Sequence, residues 1–306
     1  MKKILKNRLV KFFALVILLT LVLSACGQED RDAPKGIFYK VLGGQNEMYI
    51  LGSVHLGSED MYPLDYTIET AYNTSSILVV EANTNEIEQE EINRVLQEYA
   101  FFQDDSVLTD YIDNELFQEI KNIIPENVLD EQVLIQLKPW YISQIITQMA
   151  QENTKYDFKY GVDQYFINRA GSKEIIGLET VKEQFEPYTK MDMDTSIKYL
   201  KNSIDQRDNM EENLTNLISH WYDGDYETVA SLKEEVRESI DTESYQKHID
   251  ALLDKRDYNM AQKLDSMIKH DIDNQYFVVV GYLHLSGENS LITYLENLGY
   301  TLEIAN

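Results

Sequence analysis

One cysteine, five prolines and thirteen glycines in 306 residues leave this chain few ways to staple itself, kink or string separate modules together. A lone thiol, Cys26, makes neither an intrachain disulfide nor a multi-thiolate zinc site. Scarce Gly and Pro argue against low-complexity linkers, so the expectation is one continuous domain, 36–306, behind a short tether at 26–35. Basic residues are also few, 27 against 53 acidic ones, for a formal net charge of −26. So negative a field disfavours nucleic acid and acidic substrates as partners. It attracts cations, and otherwise keeps the surface solvated.

Long apolar runs are missing too, except at the N-terminus. There Lys2, Lys3, Lys6, Arg8 and Lys11 precede an uncharged stretch from Phe12 to Ala25 that closes on Leu23-Ser24-Ala25-Cys26. The apolar core is short for a membrane span, and the pattern reads as a lipoprotein signal peptide, 1–25, with Cys26 as the lipidated first residue after cleavage. The mature chain is then expected on the outer face of a bacterial membrane, held by acyl chains and without a free thiol for catalysis. Cleavage removes five basic residues and no acidic ones, which deepens the net charge from −26 to −31.

What the chain does have is one short string twice. Gly52-Ser53-Val54-His55-Leu56 and Gly281-Tyr282-Leu283-His284-Leu285 both follow an apolar run that reads as a buried strand. A Gly at a strand's end lets the backbone turn tightly, and the His three residues on points out of the sheet edge, where open α/β sheets bind ligands. Two such devices far apart in sequence predict one site built from both ends of the chain, with Gly52 and Gly281 shaping it.

The remaining periodicity supplies the frame. Gly36–Val41 and Met48–Leu51, around a Gly43-Gly44-Gln45-Asn46 turn signal, predict a hairpin, and a helix follows Pro63. Ile77–Val80 is a fully apolar run ending in Glu81; Glu174–Leu178 predicts a strand ending in Glu179; Tyr276–Val280 precedes the second His motif, and Thr301–Ile304 adds an edge strand. Between them, about 86–170 and 195–269 carry helical periodicity, the latter interrupted at Gly224. Strands alternating with long helical excursions predict an α/β fold, with a mixed central sheet, flanking helices and a large helical insertion at about 86–170.

Four predicted strands thus end in a potential ligand: His55, Glu81, Glu179 and His284. If those ends share one edge, imidazole nitrogen and carboxylate oxygen converge, a composition suited to a divalent metal of the Zn, Mn, Co or Fe type with an open, water-bearing position. Glu81 serves equally as third ligand or as general base, and Glu179 equally as a helix-capping acid or an outer partner of a ligand. Arg256 falls on the apolar face of a helix read over Ile249–Ile268, where a charge needs a partner; an ion pair with Glu81 or Glu179 and an anion clamp are both open. His220, His248 and His270 lie off or beside their apolar stripes and are expected in solvent. Trp140, after Pro139 at a helix start, is expected in a core.

With these residues in view, the chain resembles the TraB/GumN family, which includes the pheromone-shutdown proteins and the Tiki metalloproteases. The resemblance rests on Tyr49–His55, Tyr62-Pro63-Leu64, Val79-Val80-Glu81, Leu137-Lys138-Pro139-Trp140 and Gly161-Val162-Asp163. It continues through Gly177-Leu178-Glu179-Thr180 with Gln184, Trp221 with Gly224-Asp225, Arg256, and Val279–Leu285. Each fragment is weak alone; their order and spacing together are specific. The resemblance implies a fold related to erythromycin-esterase-like and ChaN-like proteins. It also implies a divalent-metal-dependent peptidase with His55, Glu81 and His284 at its centre; the expectation that follows places Arg256 beside them, steadying an anionic intermediate or orienting an acid, and Glu179 and Asp163 in an outer shell. Where many relatives carry Arg-Asn this chain has Arg256-Asp257, which implies different local hydrogen bonding. The pheromone-shutdown branch implies a rival, a surface lipoprotein that binds a peptide pheromone without turnover, and two imidazoles could equally hold haem.

Overall fold

The Gly43–Asn46 turn is anchored from outside the hairpin it closes. In the computed structural model, which describes residues 33–305 other than 239–241 and 271–272, the Asn46 amide donates to the carbonyls of Met267 and His270, and its oxygen accepts from the Asn274 amide. The expected signal peptide, Cys26 and most of the expected tether lie outside the described residues. Strands β1 (Ile37–Leu42) and β2 (Glu47–Ser53) form the expected antiparallel hairpin.

Further strands are β3 (Ile77–Val80), β4 (Glu174–Gly177), β5 (Gln275–Gly281) and β6 (Thr301–Ile304), and the six form one mixed sheet in the order β4-β3-β5-β2-β1-β6. β2, β5, β3 and β4 are parallel neighbours, while β1 is antiparallel to both β2 and β6. The central strands are apolar on both faces for the reason parallel strands usually are, because helices cover them on either side. Ile77–Val80 is buried throughout, and Phe277–Val280 is wholly inaccessible. Parallel direction places the C-terminal ends of four strands on one edge, and those ends carry the candidate residues.

The helices between β3 and β4 divide between two cores. Helices α1 (Tyr66–Thr74), before β3, and α6 (Val162–Arg169) pack on the sheet, with Tyr72, Phe166 and Phe277 in mutual ring contact. Helices α2 (Gln89–Tyr99), α3 (Asn114–Ile123), α4 (Glu131–Leu134) and α5 (Pro139–Glu152) instead enclose a second core of Leu96, Phe117, Ile120, Trp140, Ile142 and Ile146. After β4 come α7 (Val181–Phe185) and α8 (Met193–Gln206), and α8 lends Leu200 and Ile204 to that second core. Trp140 is buried there, stacked on Tyr188.

The C-terminal helices are α9 (Met210–Asp223), α10 (Tyr226–Glu238), α11 (Glu243–Leu252), α12 (Asp254–Ile268) and α13 (Leu291–Asn297). Gly224 ends α9 with φ of 68°, a left-handed cap that glycine adopts without steric cost. The single helix expected over Ile249–Ile268 is two, broken at Leu253, where ψ falls to −75°. The break re-phases the stripe. Leu253, Asp257, Met260, Ala261, Leu264 and Ile268 face inward, so the charge at the centre of the buried face is Asp257, with Arg256 on its flank.

Candidate functional site

The two copies of Gly-x-x-His lie side by side because their strands are paired. β2 and β5 run parallel with Gly52 opposite Val280 and Ser53 opposite Gly281, so the motifs are offset by one residue. Gly52 lets them close up: a Cβ there would come within 3.1 Å of the Tyr282 Cα. Its carbonyl accepts a 2.6 Å hydrogen bond from the wholly buried Trp221 indole, which pins the first motif to α9. Trp221→Phe keeps most of the ring but orphans that carbonyl, and is expected to cost roughly 1–3 kcal/mol in urea unfolding.

Gly281 is the centre of the arrangement. A methyl built on its Cα would meet Glu81 Oε1 at 3.0 Å, His55 Nε2 at 3.5 Å and the His284 ring at 3.5 Å. The three strand-end residues therefore surround one point. His284 Nε2 stands 3.6 Å from Glu81 Oε1, and that same oxygen accepts from the Gly281 amide. The other Glu81 oxygen is held by Arg256 at 2.8 Å, and Arg256 grips Glu179 through Nε and Nη2 at 2.8 and 2.6 Å. Arg256 is thus the shared partner of both carboxylates.

Each imidazole is held from behind by an aspartate. His55 Nδ1 donates to Asp163 Oδ2 at 2.7 Å, and Asp163 Oδ1 accepts from the Ser53 hydroxyl at 2.8 Å. His284 Nδ1 donates to Asp257 Oδ1, whose other oxygen meets the Lys233 ammonium at 3.0 Å. In a neutral ring a donated Nδ1–H leaves the Nε2 lone pair as the free position, the tautomer that metal-binding histidines use. The rings differ in access. The His55 side chain is 57% exposed, whereas that of His284 is 6% exposed.

Charge does not balance in this cluster. Four carboxylates (Glu81, Glu179, Asp163 and Asp257) face two fixed cations, Arg256 and Lys233, which leaves two negative charges unmatched. Two imidazolium rings or one divalent cation would match them. The electrostatics of the cluster carry the imprint. Asp163, with Glu81, raises His55 to about 9, and Glu81 sits at about 2 because His284, Arg256, His55 and the Gly281 amide outweigh the burial that pushes it up.

These shifts have opposite signs for stability. Glu81 is lowered, so its contribution is present above 4.5 and is lost as pH falls towards 2; His55 is raised, so its contribution is present below 6.5 and is lost as pH rises through about 9. Metal-free protein is expected to be most stable between those windows. The acid limb, measured as the wild-type minus Glu81→Gln difference in urea unfolding, is worth at most about 3 kcal/mol. The alkaline limb is smaller, because water screens the exposed His55.

Among the described residues, no three His, Asp or Glu side chains form a ready-made cation cage, because Glu81 is turned onto Arg256 and the Gly281 amide. The donor chemistry nevertheless fits a divalent ion at the two Nε2 atoms, with Glu81 Oε1 the third donor within reach. Gly52, Gly281, Glu81, Glu179, Asp163, Arg256, His55 and His284 all lie in this cluster. His248, expected in solvent, is instead wholly buried against Pro187 O and the rings of Tyr188, Tyr199 and Tyr245. Lys233 carried no signal, since it sits in a highly charged helix where one more lysine looks solvated. Ser53 was hidden inside the motif, and its burial shows only once β2 lies against β5.

Comparison with known proteins gives a family and distant relatives. The profile of the TraB/PrgY/gumN family matches residues 37–304. The uncharacterized protein YbaP of Escherichia coli strain K12 is 22% identical over 253 residues, covering 82% of this chain and 88% of its own; its counterpart in Shigella flexneri matches equally. An uncharacterized protein of Treponema pallidum strain Nichols is 23% identical over 181 residues, 56% of this chain and 54% of that protein, so the match spans about half of the Treponema protein's length. No solved structure matches.

Proposed function

The chain belongs to the TraB/PrgY/gumN family, and on that premise we propose that it is a lipid-tethered, extracytoplasmic, metal-dependent hydrolase acting on peptides or unfolded segments. One observation carries the reading: two aspartate-held imidazoles and Glu81 surround one point beside Gly281, with His284 Nε2 3.6 Å from Glu81 Oε1, in a cluster two positive charges short. His55, His284 and Glu81 would hold a divalent ion of the Mn, Co or Zn class. Such an ion supplies a bound water acidic near neutrality and polarises a carbonyl.

The chain's own residues divide the remaining work. Asp163 and Asp257 orient the rings, and Arg256 holds Glu81 in place while answering the charge of Glu179. A carboxylate at about 2 is a weak base at neutral pH, which favours Glu81 as a ligand over Glu81 as the proton acceptor. The exposed His55 face is the side from which substrate and water enter. The N-terminal signal and Cys26 support the tether, and the charge of −31 keeps cations near the surface.

The test is titration of the metal-free mature chain with Mn2+, Co2+ and Zn2+ by calorimetry, followed by mass spectrometry of unfolded casein incubated with each form. Binding of one ion per chain with new casein fragments is the expected result. No binding by any of the three would overturn the reading, and binding with casein left intact would favour a receptor that sequesters peptides. A sharper probe is Gly281→Ala, whose backbone φ of −52° any residue tolerates. The backbone is expected to accept it, but its methyl enters the centre of the site, and hydrolysis is expected to fall on the order of 100-fold.

A further inference from the structure

Lys233 is the most deeply buried charge that the proposed chemistry leaves without a role. Its side chain and that of Asp257 are both 0% exposed, joined at 3.0 Å, and Asp257 in turn holds His284 Nδ1. An ammonium taken wholly out of water costs several kcal/mol unless it is paired and hydrogen-bonded, so this one is placed rather than incidental. Its surroundings agree. The carbonyl of Asn289 lies 3.5 Å from Nζ, and Gly287, at φ of 84°, passes so close that a Cβ would stand 3.2 Å from the lysine's Cδ. The loop that follows His284 is thus wrapped around the lysine that reaches its aspartate. Four residues on, Arg237 pairs with Asp254, so α10 is stitched to α12 at a second point.

We propose that Lys233 is the positioning residue of His284: by neutralising Asp257 inside the protein, it lets a fully buried carboxylate hold the imidazole through Nδ1 and keep Nε2 turned on Glu81. The other imidazole needs no such device. Asp163 is 19% exposed, accepts from Ser53, and supports a ring that is itself open to water. His284 is held in the dry interior, where an aspartate without a counter-charge would draw in water or a proton and release the ring. The choice of Asp at 257 and of Lys at 233 is then one decision. A neutral Asn at 257 would accept the same Nδ1–H without any buried cation, and the lysine would become a liability.

The inference builds on the reading of His284 as a ligand, yet its test is made on metal-free protein. The readout is the Nδ1–H proton of His284 in 1H–15N spectra, identified by its absence in His284→Ala. In the wild type this proton is expected downfield and protected from exchange with water. In Lys233→Met, which keeps the stem and removes the charge, the signal is expected to vanish into exchange. In the double variant Lys233→Met, Asp257→Asn it returns, and with it the thermal midpoint. Zn2+ affinity should follow the same order, falling roughly 10- to 100-fold in the single variant and recovering in the double. A merely structural lysine would move stability without moving the proton. A protected Nδ1–H in folded Lys233→Met, or a folded double variant that fails to regain it, would overturn the proposal. Should Lys233→Met not fold, the double variant decides alone. If the wild type binds no metal, the hydrolase reading fails while the proton signature still judges this one.

Discussion

Alanine at either histidine is expected to empty the site of metal, but the two variants should part in stability. His55→Ala removes a ring that is 57% exposed and leaves Asp163 accepting from Ser53 with a share of solvent, so unfolding should stay within roughly 1 kcal/mol of wild type. His284→Ala orphans Asp257 Oδ1 in a wholly buried position and opens a void beneath it, which should cost roughly 1–3 kcal/mol. Hydrolysis should drop on the order of 1,000-fold or more in both, because residues that hold one ion fail as a unit. Elemental analysis of protein purified with Mn2+, Co2+ or Zn2+ gives the decisive number. Full occupancy in both variants would remove the metal from the account, whatever the activity did.

Much of this arrangement could be read before any coordinates, and the parts that could are those written in local pattern. Ile77–Val80 and Tyr276–Val280 announce strands covered on both faces because nothing polar interrupts them, and a strand of that kind must run parallel between helices. Once β2, β3, β4 and β5 are parallel, the residues after them share an edge by geometry alone, and His55, Glu81, Glu179 and His284 follow. What local pattern does not contain is partnership across distance. Asp257 looks like a polar residue beside Arg256 until the break at Leu253 rotates α12 and turns it inward. Lys233 looks solvated in a charged helix until α10 meets the loop after His284. His248 is polar by type, but helix 11 turns it under Tyr188 and Tyr199, elements more than 45 residues away in sequence. Helical periodicity reported that the segment after Glu86 is helical, but not that its helices close on a core of their own with help from α8.

Arg256→Met should be the most damaging single change at the site that leaves both imidazoles in place. Arg256, Glu81 and Glu179 are 13%, 8% and 5% exposed at their side chains, and among the described residues the guanidinium is the only cation that touches both carboxylates. Removing one partner of a buried pair leaves an uncompensated charge, typically 3–5 kcal/mol, and here it leaves two carboxylates facing each other. The pH dependence gives the mechanism away. In the wild type Glu81 makes acid destabilising, whereas in Arg256→Met acid relieves the repulsion, so the melting temperature should rise as pH falls from 7 towards 5. Adding Glu179→Gln to Arg256→Met should recover part of the loss at pH 7 and flatten that rise, since one of the two facing charges is gone. Arg256→Lys should fall between, because an ammonium can answer one carboxylate but cannot reproduce the fork that reaches Glu81 and both oxygens of Glu179. A melting curve for Arg256→Met that shifts with pH as the wild type does would mean that the arginine does not hold the two carboxylates apart, and Glu81 would lose its standing as an anchored ligand.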